Sequence, residues 1–355
     1  MLELITDPAK ITPQWLTQAL RCSGHLAAGE VSIASYSMIG TGKMGDNARF
    51  ELTYSDASED APATVIAKLP AADETARAMA GARGAYYSEV MFYQQLAAKT
   101  AMRTPDIYAN LLSEDRASFI LLMEDLSPAE PGSQFIGESP QRTRLAMSEV
   151  AKLAAAFYGD AELARVDFIM TAARDDGGAF GQELLQQNWP IFLERFGHGI
   201  NEECQRFGDY YVNHHSDFVM SYAGPKTLAH GDFRSENILF TDNEAWTVDW
   251  QTITASTPLT DLAYFMGGSV DIEDRRKIER DLVAEYAELL ASEGVVIDAS
   301  TCWKLYCAQA MHGLMITILG ACFSEADERS DAMFLTMIQR HLQHCVDLDA
   351  KAYIA

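Results

Sequence analysis

His230-Gly231-Asp232 is followed, five residues after the aspartate, by Asn237, which opens the apolar run Ile238-Leu239-Phe240. A second short apolar run, Thr247-Val248-Asp249-Trp250, carries another aspartate near its end. One carboxylate able to accept a proton and two hard oxygen donors able to hold Mg2+ are the parts that transfer of a phosphoryl group to a hydroxyl requires. In that chemistry Asp232 orients and deprotonates the acceptor hydroxyl, and Asn237 and Asp249 hold ions that neutralise charge on the transferring group. A plain hairpin would use the same residue types as turn formers, and Thr241-Asp242-Asn243 is such a turn. Residues far upstream decide between the two readings.

Gly40-Thr41-Gly42-Lys43-Met44-Gly45 is a G-x-G-x-x-G run. Glycines let backbone amides approach phosphate oxygens closely. This run leads into a strand and not a helix, which counts against a dinucleotide-binding turn and for a cover over nucleotide phosphates built from Gly40, Gly42, Lys43 and Gly45. Lys68 stands inside the apolar strand "VIAKLP", where an ammonium needs a charged partner, and Glu89 on the next helix is available. A third-strand lysine paired with a helical glutamate aims its ammonium at nucleotide phosphates. Glycine run, lysine, glutamate, D-x-x-x-x-N and second aspartate occur in the order that phosphoryl transfer uses.

The elements that must position these residues are legible from pattern. Thr12 and Pro13 cap a short amphipathic helix. Residues 31–40, 47–54 and 63–70 are short, rich in β-branched and aromatic residues and separated by turn formers, which predicts three antiparallel strands. Tyr86, Val90, Tyr93 and Ala97 recur at helical spacing and predict a helix over 84–99. "DIYANLLSE" and "SFILLMED" predict two more strands, and beyond residue 132 long helical segments dominate. The fold class is α+β, with a small antiparallel-sheet lobe over 1–123, a hinge at 124–129 and a mainly helical lobe over 130–355.

Composition sets limits on partners. Lys and Arg total 27 against 51 for Asp and Glu, a net charge of −24 that repels nucleic acid and anionic membrane surfaces. Six scattered cysteines without a C-x-x-C pair read as reduced, mostly buried thiols. His214 and His215 are adjacent and point in different directions, so no structural metal is expected there. The amino terminus lacks the pattern of a signal peptide, and the longest apolar stretch, 313–323, falls short of the ~20 residues that span a bilayer. These features predict a soluble, cytoplasmic protein without a membrane partner.

With these motifs in place, the chain resembles the aminoglycoside phosphotransferase and choline kinase superfamily, and especially its ecdysteroid-kinase-like branch of small-molecule kinases. "HGDFRSEN" corresponds to the H-G-D-x-x-x-x-N catalytic loop and "VDWQT" to the I-D-W-Q metal-binding segment. In "PLTDLAYFM", Asp261 matches an aspartate that stabilises the catalytic loop, and His230 reads as a brace for that loop. The resemblance implies a protein-kinase-like bilobal fold, ATP and Mg2+ as cofactors, and a hinge from Glu124 to Leu126 that meets the nucleotide base through backbone groups. H-G-D in place of H-R-D, V-D-W in place of D-F-G and the lack of an A-P-E segment point to a small acceptor and away from a protein substrate. A steroid-like or other hydrophobic alcohol is favoured, with an aminoglycoside- or choline-type cation as the alternative. A catalytically weak nucleotide-binding interaction module is the reading from another class, and the joint presence of Lys68, Glu89, Asp232, Asn237 and Asp249 speaks against it. The aromatics of "NWPIFLERF", 188–196, read either as the wall of an acceptor pocket or as core.

Overall fold

The computed structural model describes residues 2–40, 45–56, 60–171 and 176–354. They form two compact units, the first made of Met1–Lys99, Thr104–Pro128 and Val248–Thr252, the second of Thr100–Arg103, Ala129–Thr247 and Ile253–Ala355.

In the first unit, helix α1 (Pro13–Cys22) starts where the Thr12 hydroxyl accepts from the Trp15 amide at 3.2 Å. Strands β1 (Glu30–Ile39), β2 (Gly45–Ser55), β3 (Thr64–Pro70), β4 (Ile107–Leu112) and β5 (Phe119–Glu124) make one antiparallel sheet in the order β1-β2-β3-β5-β4. Side chains alternate across a strand. Val65, Ala67 and Leu69 of β3 therefore bury with Phe50, Ile120, Leu122 and the Leu16 and Leu20 side chains of α1 on one face. On the other face Ile66 packs with Phe119, Leu121 and Met123 against Tyr86 and Val90 of α3 (Ala85–Gln95). Lys68 shares the parity of Ile66, so the pleat itself directs the lysine toward the helix that carries Glu89.

Two details differ from the sequence reading. A further helix, α2 (Glu74–Ala82), precedes α3; it is capped by Asp73 but buries only Ala80, so it carries no apolar stripe for periodicity to detect. Helix α3 ends at Gln95, and Ala97 lies in a separate 3-10 turn instead of continuing a helix to 99.

The second unit is helical: α4 (Pro140–Ala156), α5 (Ala179–Phe196), α6 (Glu202–Met220), α7 (Thr260–Ser269), α8 (Ile272–Ser292), α9 (Ala299–Gln309), α10 (His312–Phe323) and α11 (Glu328–Asp347). Two small antiparallel sheets complete it: β6 (Glu130–Pro131), β8 (Ile238–Phe240) and β9 (Ala245–Thr247) in one, β7 (Thr227–Ala229) and β10 (Thr254–Ser256) in the other. Trp189, Phe192 and Phe196 of α5 are buried with Phe207, Tyr211, Leu314 and Ile338, which settles the aromatic stretch as core. The stretch Ala299–Phe323 is long and apolar enough to cross a membrane, with mean hydropathy 1.4, yet 61% of its apolar window is buried within the fold. All six cysteines are free thiols; Cys204, Cys302, Cys307 and Cys345 are buried, while Cys22 is exposed and Cys322 half-buried.

Candidate active-site residues in the two units

In the first unit Lys68 is 7% exposed and Glu89 fully buried. The lysine ammonium donates to Glu89 Oε1 at 2.7 Å and to Asp249 Oδ1 at 3.0 Å. Burial alone would push the ammonium down, but Asp249 and Glu89 together outweigh it and hold the lysine protonated above its ordinary range. Burial raises the Glu89 carboxyl above the usual carboxylate range against the pull of Lys68. Glu89 Oε2 also accepts from Gln251 Nε2 at 3.2 Å. Trp250, between Asp249 and Gln251, stacks on Phe92 of α3 with ring centroids 3.6 Å apart and planes within 6°. That ring fastens the 249–251 strip to the helix, and its two polar neighbours reach the Lys68–Glu89 pair. The Asp249 side chain is 38% exposed against 1% for Glu89, so of the lysine's two carboxylate partners Asp249 is the one an ion can reach. Its φ of 69° lies in the left-handed region, which aspartate tolerates better than most residues.

Gly40 has a φ of 77°, and a Cβ on Gly45 would lie 3.0 Å from the Leu69 carbonyl and 3.8 Å from Lys68 Cε. Both ends of the glycine run therefore exclude side chains, one by conformation and one by close approach to the strand that carries the lysine. Gly42 and Lys43 lie outside the described residues. At the expected hinge the Glu124 amide already donates to Asp106 O at 2.8 Å. The Leu126 amide has no hydrogen-bond partner among the described residues.

In the second unit the loop between β7 and β8 is held from α7. Asp261, in the first turn of that helix and 3% exposed, accepts from the His230 amide at 2.7 Å and the Gly231 amide at 3.0 Å. Burial raises its carboxyl above the usual range, more than His230 and the two amides lower it. Gly231 has a φ of 86°, a conformation that glycine adopts without strain. His230, fully buried, accepts from the Asp232 amide through Nδ1 at 3.2 Å, the geometry of a brace. Asn237 Nδ2 donates to the Asp232 carbonyl at 2.8 Å and to Asp232 Oδ2 at 3.0 Å. The five-residue spacing thus closes on itself, and the Asn237 side-chain oxygen takes no part in these two bonds.

Two partners of Asp232 had no role assigned from the sequence. Arg234 Nε lies 3.3 Å from Asp232 Oδ2, and the same guanidinium pairs with Glu236. The Tyr264 hydroxyl donates to Asp232 Oδ1 at 2.7 Å. Both residues sit inside motifs the sequence displays. For Tyr264 the signal was chemical: a hydroxyl on a helix buried on all sides must find a partner.

Two buried histidines in this unit each contribute a loss of stability as the pH falls. Burial and then Arg275 hold His344 down to about 4, and burial and then His312 hold His215 to about 4. Unfolded imidazoles titrate near ~6.5, so between about 6.5 and 4 the unfolded chain binds protons that the native state refuses, and stability falls as pH falls. Above that window these groups have no effect. Glu89 and Asp261, with raised carboxyls, work in the opposite sense, so the histidine part is read from a difference. The Tm of His344→Gln relative to wild type should improve by roughly 3–5 °C between pH 7 and pH 4.5. Parallel Tm curves across that range would refute the assignment.

The model of the ecdysteroid kinase-like family matches residues 44–294, more than half of the chain. No curated protein matches. Among solved structures, a choline kinase from Cryptosporidium parvum superposes with a TM-score of 0.56 at 12% identity, covering 95% of this chain and 96% of its own. A macrolide 2'-phosphotransferase from Brachybacterium faecium gives 0.50 at 16% identity, with 92% and 97% covered. A mutant aminoglycoside 2'-phosphotransferase in complex with GDP gives 0.51 at 10% identity, with 93% and 97% covered. At these identities the likeness is one of fold, and it bears out the α+β, protein-kinase-like class expected from the sequence.

Proposed function

Because the chain belongs to the ecdysteroid kinase-like family, we propose that this small-molecule phosphotransferase moves the γ-phosphoryl group of ATP, with Mg2+, onto a hydroxyl of a steroid-like or other hydrophobic alcohol. The observation that carries the reading is Lys68, held between buried Glu89 and partly exposed Asp249 in the presence of a complete D-x-x-x-x-N loop. In this reading Gly40, Gly42, Lys43 and Gly45 cover the phosphates, Lys68 binds their oxygens, Glu89 aims the lysine, and the backbone from Glu124 to Leu126 meets the base. Asp232 takes the proton of the acceptor hydroxyl as its oxygen attacks phosphorus in line, without a phosphoenzyme.

The donor set suits Mg2+. Asp249 and Asn237 offer hard oxygens, and no cluster of three or more His, Cys, Asp or Glu that could hold a metal by itself occurs among the described residues. Mg2+ is usually held by one or two protein oxygens together with substrate phosphates. When bound, it neutralises the phosphate charge that develops during transfer.

A neutral acceptor is supported by the surroundings of Asp232. Its described side-chain partners are Tyr264, Arg234 and Asn237, and the nearby Glu236 is already neutralised by Arg234. Among the described contacts of this loop, the Glu236 carboxylate is thus already engaged and is not left over for a cationic acceptor. The test is ADP release from Mg·ATP against sterols, terpenoid alcohols, sugars, choline analogues, aminoglycosides and macrolides. Turnover with a sterol or terpenoid alcohol, at about 1–100 s⁻¹, is expected. Turnover with choline or an aminoglycoside alone would overturn the acceptor class, and tight Mg·ATP binding without turnover on any acceptor would favour an interaction module.

A further inference from the structure

We infer that Tyr264 is a positioning residue for Asp232, with its hydroxyl setting the orientation of the carboxylate and a buried histidine plate setting the tyrosine. The inference rests on the reading of Asp232 as the proton acceptor. Asp261 and Tyr264 lie three residues apart on α7 and share a face of the helix. One turn of helix therefore pins both the loop backbone, through the His230 and Gly231 amides, and the carboxylate that the loop presents. The 2.7 Å contact is of the short, charge-assisted kind. Burial, and then the Asp232 charge, raises the Tyr264 hydroxyl well above its ordinary range, so it stays a donor at any working pH. Tyr264 holds Oδ1, while Asn237 and Arg234 meet Oδ2, and the carboxylate cannot turn about its own axis without breaking contacts on both oxygens.

What fixes the tyrosine lies beneath it. Its ring, 1% exposed, is parallel to the imidazole of His341 on α11, with planes within 4° and centroids 5.2 Å apart, and meets the His312 ring edge-on at 5.5 Å and 87°. His341 is fully buried, and neither ring nitrogen has a hydrogen-bond partner among the described residues. Burial, and then the neighbouring His344, His312, Arg340 and Arg275, which oppose a proton on the ring, keep it neutral. It acts as a flat, uncharged plate. Three glycines close round it: a Cβ on Gly267 would lie 2.8 Å from His341 Nδ1, one on Gly268 2.6 Å from Nε2, and one on Gly313 would collide with the same ring. Glycine inside a helix is destabilising, and here it lets α7 and α10 come against the imidazole so tightly that neither ring can tilt.

Tyr264→Phe keeps the ring and its stack and deletes only the hydroxyl. With Mg·ATP and the best acceptor, kcat is expected to fall about tenfold, the effect of losing one hydrogen bond to a charged group, with KM for both substrates unchanged within about twofold. In an Asp232→Asn background the same change should lower the residual rate no further. Wild-type kcat in Tyr264→Phe, or a loss carried by KM, would overturn the proposal while leaving the phosphotransfer reading intact. Tm values of Tyr264→Phe, of Asp232→Ala, which removes the acceptor oxygen altogether, and of the corresponding double variant supply a readout that needs no activity. Non-additive shifts of about 1 °C or more are expected for a direct contact, and additive shifts would refute it. A wild type that turns over no acceptor, with non-additive Tm shifts, would leave only a structural tie and overturn the proposal together with the reading beneath it.

Discussion

Replacing Asp232 by asparagine is expected to lower acceptor-dependent turnover by about 10²- to 10⁴-fold, the range that a positioned general base contributes. The change is isosteric. An asparagine Oδ1 still accepts from the Tyr264 hydroxyl, and the loop remains pinned by Asp261 through the His230 and Gly231 amides. What disappears is the oxygen that accepts the acceptor's proton. The new amide nitrogen also faces the Asn237 amide and the Arg234 guanidinium, which lose this acceptor and keep only the Asp232 carbonyl and Glu236. Nucleotide affinity should change little, because Lys68, Glu89 and Asp249 form their contacts within the first unit. ADP release and calorimetric titration with Mg·ATP on the same preparation measure both. Undiminished turnover would remove Asp232 from the chemistry. A simultaneous loss of nucleotide binding and of Tm would report a damaged fold, and the experiment would then rest on Asp232→Glu.

Lys68→Met should lower kcat/KM for ATP by about 10²- to 10³-fold, the usual effect of deleting one preorganised charge that faces the reacting group. It should also destabilise the protein. Glu89 is fully buried, and leaving a buried charge without its partner costs about 3–5 kcal/mol. The pH dependence has a definite sign. Burial already raises the Glu89 carboxyl, and Lys68 is the largest influence opposing that rise. Without the lysine the carboxyl rises further, so the native state of the variant binds a proton that the unfolded chain releases above its ordinary titration near ~4.3. Stability of the variant therefore falls as pH rises, and its Tm deficit should be larger at pH 8.5 than at pH 5.5. A second substitution separates the two effects. Glu89→Gln in the Lys68→Met background removes the orphaned charge and should recover most of the Tm, because replacing both members of a buried pair is often nearly neutral. Turnover should stay lost. Recovery of turnover in the double variant would mean that Lys68 serves the fold and not the phosphates.

Much of this was legible in the linear chain. A strand that alternates apolar residues and then carries an ammonium demands an acid nearby, and Glu89 on the next predicted helix meets that demand at 2.7 Å. The D-x-x-x-x-N spacing is short enough to close locally, and it closes. The five strands, their antiparallel pairing and the change to helices near residue 130 follow from period and turn residues, which are local properties. Helix α2 was not legible, because a helix that buries a single alanine leaves no stripe.

The sequence alone determined which chemical groups are present and in what order, since residue type and short spacing are written in one dimension. Only the tertiary structure decided which groups meet. Asp249 reaches Lys68 across 181 residues of chain, with Trp250 stacked on Phe92 to hold it there. Tyr264 reaches Asp232 across 32, on a ring fixed by His341 from the last long helix. Whether Trp189, Phe192 and Phe196 line a pocket or fill a core was likewise a matter of what packs opposite them. Such contacts depend on burial and close packing between distant segments, and no local propensity encodes them.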